Sequence, residues 1–377
     1  MSLKAKLSVK KNKSLLQLLK SKPKKVRFSS LYPTLLAIGL LACNPTQKVA
    51  STKKMNNSSA TVQFIEKEAE KKVDVLIKGE LFTSYIYPSS IAKPVLYPLI
   101  TKSGQKLTRG YPLDPQAGER NDHPHHIGYW LNYGDVNGFD FWNNSFNPKK
   151  NRKYGLIQHQ EIVKLEEAKG LMEVSAKWIS DEKEALLREQ TQFYFSEKAA
   201  TRQIDRITTL TALTDVDFTD NKEGMLAVRV IRALELPSKK AAIYLDENGR
   251  ANPEKIVNND GVIGDYLSSE GKTGQKVWGT RAKWMHLHSQ LNKEPISLTI
   301  IDHPDNVGYP TYWHARGYGL FAANPLGQKA MSKGKEILNF KLKKGQSVTF
   351  KYRLLVQGGN ELSKADLEAA FTDFSKR

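Results

Sequence analysis

Five of the chain's eight histidines fall in two short segments. His123, His125 and His126 stand in Asp122-His-Pro-His-His, and His303 and His314 lie in the stretch from Asp302-His-Pro to Trp313-His-Ala-Arg316. Imidazole titrates near neutrality, and Asp122, Asp302 and Arg316 are the neighbours that can set its charge. In both copies of Asp-His-Pro the proline keeps the preceding histidine extended. Three readings fit these residues. In the first, His125, His126 or His314 is a general base, and a second histidine such as His303, or Asp302, is the acid. In the second, His123 and His125, at i and i+2 on one strand face, join His303 or His314 around a divalent metal such as zinc. In the third, the imidazoles are structural and bond backbone carbonyls. The lone Cys43 excludes a disulfide within the chain and any cysteine-cluster metal site. No cofactor is expected from the motifs: Walker loop, GxSxG, HExxH and a dinucleotide-binding GxGxxG are all missing.

The same segments are rich in aromatic residues: Tyr129, Trp130, Tyr133, Phe139, Phe141 and Trp142 in the first, Tyr309, Tyr312 and Trp313 in the second. Flat apolar rings suit the C–H faces of a sugar, while Asp, Asn, Arg and His grip its hydroxyls. Two or three of these rings are expected to face a ligand, and the rest to be core. Arg229 stands in a strand-like run where it can reach a substrate carboxylate or lie on a solvated face. His286 and His288 read as one face of a strand.

The elements that position these residues read as strands, because the apolar period from Lys71 onward is mostly two. Met172, Val174, Ala176 and Trp178 alternate with polar residues, as do Val348, Phe350, Tyr352, Leu354 and Val356. Thr191, Phe193 and Phe195 share a face, as do Ile296, Leu298 and Ile300. Leu338, Phe340 and Leu342 form an earlier strand, with Lys344-Gly345 as the turn. Such half-buried strands imply antiparallel sheets. The expected fold is all-β, one large antiparallel β-sandwich over residues 71–377, with two sandwiches as the alternative. Ser363 and Asp366 mark a capping box for a short C-terminal helix through Leu367, Ala370 and Phe371.

The net charge is +19, but residues 1–65 hold thirteen Lys/Arg and no acid, which leaves +6 for the rest. The body is therefore only mildly basic, and nucleic acid is not an expected partner. The apolar run Leu31–Ala42 is too short to span a bilayer and fits the core of a secretory signal. It ends in Leu40-Leu41-Ala42-Cys43, the pattern of a bacterial lipoprotein. Residues 1–42 thus read as a signal peptide, Cys43 as the lipidated residue, and 43–70 as a flexible tether. The expected location is a membrane-anchored one, in the periplasm or on the outer-membrane surface.

Several stretches, taken in order, resemble a bacterial family labelled PmoA-like. They are Lys93-Pro-Val-Leu-Tyr-Pro-Leu-Ile, Thr108-Arg-Gly-Tyr-Pro, Asp122-His-Pro-His-His, Gly134-Asp-Val-Asn-Gly-Phe-Asp-Phe-Trp and the Asp302–Pro325 segment. Together they cover most of residues 80–356. Ile127 departs from the arginine often found there. After residue 42 no run supplies the roughly 20 apolar residues of a membrane span, so a membrane methane monooxygenase is not implied. The resemblance implies carbohydrate work and a galactose-mutarotase-like sandwich. It points to Arg109, Asp122, His123, His125, His126, Asn137, Asp140, Asp302, His303, His314 and Arg316 as the site, and the aromatic reading above adds Trp142 and Trp313 as substrate-binding rings. The expected function is a lipid-anchored enzyme acting on a sugar or glycoside by histidine and aspartate acid–base chemistry, as an epimerase, lyase or hydrolase. The alternatives are a glycan-binding lipoprotein and a metal-dependent enzyme.

Overall fold

The period-two alternation is realised as strands in the computed structural model, which describes residues 61–377. Leader, tether start and Cys43 lie outside the described residues. In chain order the strands are β1 (Val62–Lys67), β2 (Lys72–Ile77), β3 (Glu80–Ile86), β4 (Val95–Leu96), β5 (Tyr129–Tyr133) and β6 (Gly155–Glu166). Next come β7 (Leu171–Ser180), β8 (Ala185–Lys198), β9 (Thr201–Ala212), β10 (Val216–Phe218), β11 (Gly224–Arg229) and β12 (Asp265–Ser268). The last are β13 (Trp284–Leu291), β14 (Glu294–Asp302), β15 (Tyr312–Trp313), β16 (Leu320–Asn324), β17 (Phe340–Leu342) and β18 (Ser347–Gly358).

They form two eight-stranded antiparallel sheets. One runs β1-β2-β3-β4-β5-β11-β16-β15, and the other β12-β13-β14-β18-β9-β8-β7-β6. The inner faces of both sheets share one core. Val75, Tyr85, Leu131 and Val228 of the first sheet meet Trp178, Phe193, Leu298 and Phe350 of the second. The fold is thus all-β with two large antiparallel sheets, as the alternation predicts. Each pair of alternating residues sends one side chain to this core and its neighbour outward.

The outer face of the second sheet is covered by helix α2, Lys364–Phe374, which follows a short helical turn α1 at Gln328–Met331. Ser363 and Asp366 form the expected capping box. Leu367 and Phe374 pack on Trp284, Ile301 and Leu355. That covering explains why Leu355, on the otherwise polar face of β18, is apolar.

Two boundaries differ from expectation. Val62–Lys67 pairs in register with Lys72–Ile77, so the end of the expected tether is the first strand of a sheet. Phe340–Leu342 pairs with β10 and not with β18, in a separate two-stranded ribbon. No helix among the described residues is long and apolar enough to cross a membrane.

Candidate functional site

Strand β5 carries the site on its outward face. Tyr129, Leu131 and Tyr133 point into the shared core. Trp130 and Asn132 point away from it, joined by an indole N–H donating to the Asn132 side-chain oxygen at 2.9 Å. The register sets Trp130 beside Ala227 of β11, and Ala227 beside Ala322 of β16. These small neighbours leave room above the sheet for Trp142 and for the His126 ring, which stacks on Trp130 at 5.5 Å. Two glycines bracket the strand. A Cβ at Gly128 (φ +57°) would lie 2.4 Å from the Leu96 carbonyl oxygen. One at Gly134 would lie 2.7 Å from Cβ of Glu223, so glycine there lets the turn before β11 close over the strand end.

The loop entering β5 is gathered by two buried guanidinium groups. Arg109 donates to the carbonyls of Arg120, Asp122, His123 and His126 and to Oδ1 of Asp122, at 2.8–3.2 Å. Arg229 donates to the same Oδ1 at 2.6 Å, and its other NH group lies 3.3 Å from Nδ1 of His126. A guanidinium cannot accept, so that Nδ1 is the acceptor and His126 carries its proton on Nε2. Burial alone would raise the Asp122 carboxyl, but Arg229, His123 and Arg109 hold it well below the usual carboxylate range. His123 is not extended as the Asp-His-Pro sequence suggests but left-handed, at φ 45°, and lies flat against two rings: His126 at 4.8 Å and Tyr318 at 4.9 Å. Its Nδ1 stands 3.2 Å from Asp122.

A cleft of about 680 Å³ opens beside this wall. The first histidine segment contributes His123, His125, His126 and Asp140 to it, and the second contributes His314, Arg316 and Tyr318. The loop after Asp140 adds Asn143, Lys149, Arg152 and Tyr154, and the turn before β11 adds Asn221, Lys222 and Glu223. Burial, then Lys93 and His123, push His125 down to about 2. Burial, then Lys222 and Arg316, push His314 down to about 3. Both rings are neutral bases at physiological pH. The Nδ1 of His314 is buried with no hydrogen-bond partner. Behind His125, the buried Lys93 ammonium donates to the His125 carbonyl at 2.7 Å, and burial lowers it to about 7.

The expected site residues therefore separate into three groups. His123, His125, His126, Asp140, His314 and Arg316 line the cleft. Arg109, Asp122 and Trp142 lie behind it as its frame. Asn137, Asp302, His303 and Trp313 are elsewhere. Asn137 is exposed and ties its turn to β10 through the Asp215 carbonyl and the Asp217 N–H. Trp313 is fully buried core, its indole bonded to the Ala282 carbonyl. Asp302 is fully buried at the end of β14, where its oxygens accept from Asn306 and the Thr311 N–H. His303 accepts from the Asp305 N–H and packs edge-on to Phe374 of α2. Asp302 and His303 thus cannot serve as the expected catalytic acid in this cleft.

Within the cleft, Asp140 is occupied. Its oxygens accept from the N–H groups of Trp142 and Asn143, the Asn143 amide and Arg152. None of the nine aromatic residues expected to supply ligand-facing rings lines the cleft; Tyr154 and Tyr318 do. Arg229 is neither solvated nor in the cleft, but buried in the frame. His286 bonds Thr299 on a strand face, as expected. Among the described residues no three His, Cys, Asp or Glu side chains converge as a metal-ligand set, so His123 and His125 gain no third donor. Sequence reasoning missed Glu223, Lys222, Arg152 and Tyr318. The polar run Asp220-Asn-Lys-Glu just before an apolar strand was the available signal for the first two.

No curated protein matches the sequence. Among solved structures, the chain is similar to the GH36 α-galactosidase AgaB of Geobacillus stearothermophilus. The TM-score is 0.36 and the identity 9%, over 79% of this chain and 41% of that one. It is similar also to a galactose mutarotase related enzyme of Lactobacillus acidophilus, with TM-score 0.32 and 9% identity over 80% and 98% of the two chains. The chain spans about two fifths of the length of such α-galactosidases. Likenesses this distant do not bear on activity. The expected PmoA-like membership is overturned, because the family model that matches is a different one. It covers residues 72–372 and is described as a family of unknown function, DUF6807. With most of its length inside that match, the chain belongs to the DUF6807 family.

Proposed function

We propose that the cleft binds a sugar or glycoside and that His125 and His314 exchange protons with it. One observation carries this reading: two neutral imidazoles, from segments far apart in the chain, line the same cleft. Its volume suits one or two sugar rings. Its lining includes the rings of Tyr154 and Tyr318, the amides of Asn143 and Asn221 and the guanidinium of Arg316. A neutral imidazole can take a proton from carbon or oxygen, Glu223 can stabilise the imidazolium that forms, and Arg316 can hold developing negative charge. Hydrolysis by paired carboxylates is less well supported than epimerisation or elimination. Of the two acids in the cleft, Asp140 is already saturated by its turn and by Arg152. The test is turnover of a panel of sugars and glycosides by His125→Asn and His314→Asn. Each is expected to lose roughly 10²–10⁴-fold of activity. Unchanged turnover by both variants removes acid–base catalysis from the site.

A non-catalytic glycan-binding role is favoured by one feature. The imidazoles of His125 and His314 are held at about 2 and 3, far from the neutral range where a general base works best. Calorimetric titration with product analysis separates the two: binding with no product over long incubation supports the second. Anchoring at the bacterial envelope through a lipid on Cys43 is part of the same proposal. Cys43→Ala is expected to move the protein from the membrane to the soluble fraction.

A further inference from the structure

We infer that the ligand of this cleft is an anionic sugar, one bearing a carboxylate or a sulfate or phosphate ester seated on Arg316. This rests on the sugar reading above and names its substrate class. Four cationic side chains line the cleft against two carboxylates. Arg152 is bonded to Asp140 at 2.8 Å, and Lys222 is bonded to Glu223. Arg316 and Lys149 have no acid within ion-pair distance among the described residues. Among the described residues the guanidinium of Arg316 meets only ring faces, Trp278 at 5.5 Å and Tyr318 at 5.8 Å. That leaves its N–H fork free to meet two oxygens of an anion. The wall behind adds to the imbalance, since Arg109 and Arg229 share the single carboxylate of Asp122.

The excess is local. Residues 66–377 carry only +6 overall, so a basic cleft is not a by-product of a basic protein. A second observation points the same way. His314 is nine-tenths buried or more and lines the cleft, yet its Nδ1 has no hydrogen-bond partner among the described residues. Burial, then Lys222 and Arg316, disfavour its charged form. An anion seated on Arg316 would offset that guanidinium's repulsion and so ease protonation of His314. A neutral sugar brings no such offset.

The test is calorimetry on the full chain at low and at physiological salt. The probes are galacturonate, glucuronate, glucose 6-sulfate and glucose 6-phosphate, neutral galactose and glucose, and inorganic sulfate alone. The expected result is at least tenfold tighter binding of one charged class than of its neutral counterpart. The class that shows it tells carboxylate from ester. The preference should weaken with salt and fall at least tenfold in Arg316→Gln, but persist largely in Arg316→Lys. Neutral sugars binding as tightly as charged ones, or a preference surviving in Arg316→Gln, overturns the anionic assignment alone. Inorganic sulfate binding with no sugar of either kind bound overturns the sugar reading, and this proposal with it.

Discussion

The Nδ1 atom of His314 stands 3.8 Å from Oε2 of Glu223, too far for a hydrogen bond, while the other oxygen of that carboxylate is held by Lys222. Lys222 thus acts on His314 twice: it repels the imidazolium directly and it occupies the nearest acid. Lys222→Met removes both effects. The His314 pKa is expected to rise from about 3 toward the ordinary histidine range. Titration of its imidazole C–H signal by NMR reads this directly. An unmoved titration would show that Lys222 has no part in setting the ring's charge.

Asp122 is the sole carboxylate between Arg109 and Arg229, both nearly fully buried. Asp122→Asn leaves two guanidinium groups without their anion. The expected loss is roughly 3–5 kcal/mol of folding stability, the cost of a buried ion pair broken on one side. His123 should also lose its fixed place between His126 and Tyr318. Urea unfolding measures the first effect. An Asp122→Asn midpoint equal to that of the wild type would mean that the carbonyls around Arg109 suffice to hold the loop.

The strands were legible because burial on one face leaves a mark every second residue. Val348 to Val356 shows it, and every member of that series is in the shared core. The site was legible only as a concentration of imidazoles. An aspartate beside a histidine reads the same whether it holds the wall of the cleft, as Asp122 does, or accepts within a buried turn, as Asp302 does. A tryptophan in a core and a tryptophan under a sugar also have the same neighbours in sequence, which is why Trp313 was misplaced. Glu223 was invisible for a different reason. It reaches the cleft only because Gly224 pairs with Tyr133, a register that joins residues some ninety positions apart.

The role of Asp302 gives a sharp contrast with the cleft residues. Both its oxygens accept N–H groups, from Asn306 at 2.7 Å and Thr311 at 2.8 Å. In Asp302→Asn the amide NH₂ must face one of those donors. The expected cost is roughly 1–3 kcal/mol of stability. Binding or turnover in the cleft should be unaltered in the folded fraction. A catalytic loss without a stability loss would return Asp302 to the mechanism.

Five histidines, His125, His126, His286, His303 and His314, are buried and held below the ordinary imidazole range, and this sets how stability depends on pH. Burial, chiefly, lowers His125 to about 2, His286 and His314 to about 3, and His159 to about 4. In the unfolded chain each titrates near 6.5. Above that pH their contribution is fully present. As the pH falls below it the unfolded state binds protons that the folded state refuses, and stability drops until the folded values are reached. Asp302 works in the opposite direction, because burial raises it to about 7 and its folded form takes up a proton first. Between about pH 6 and 4.5 the lowered histidines outnumber Asp302, so the unfolded state binds more protons than the folded one and stability falls as the pH falls. Urea midpoints are therefore expected to fall steeply from pH 6.5 downward, and to fall less steeply in His286→Gln, which removes one titrating group away from the cleft. A midpoint that stays level down to pH 5 would show that these rings are charged in the folded protein, and the neutral bases assigned to the cleft would go with them.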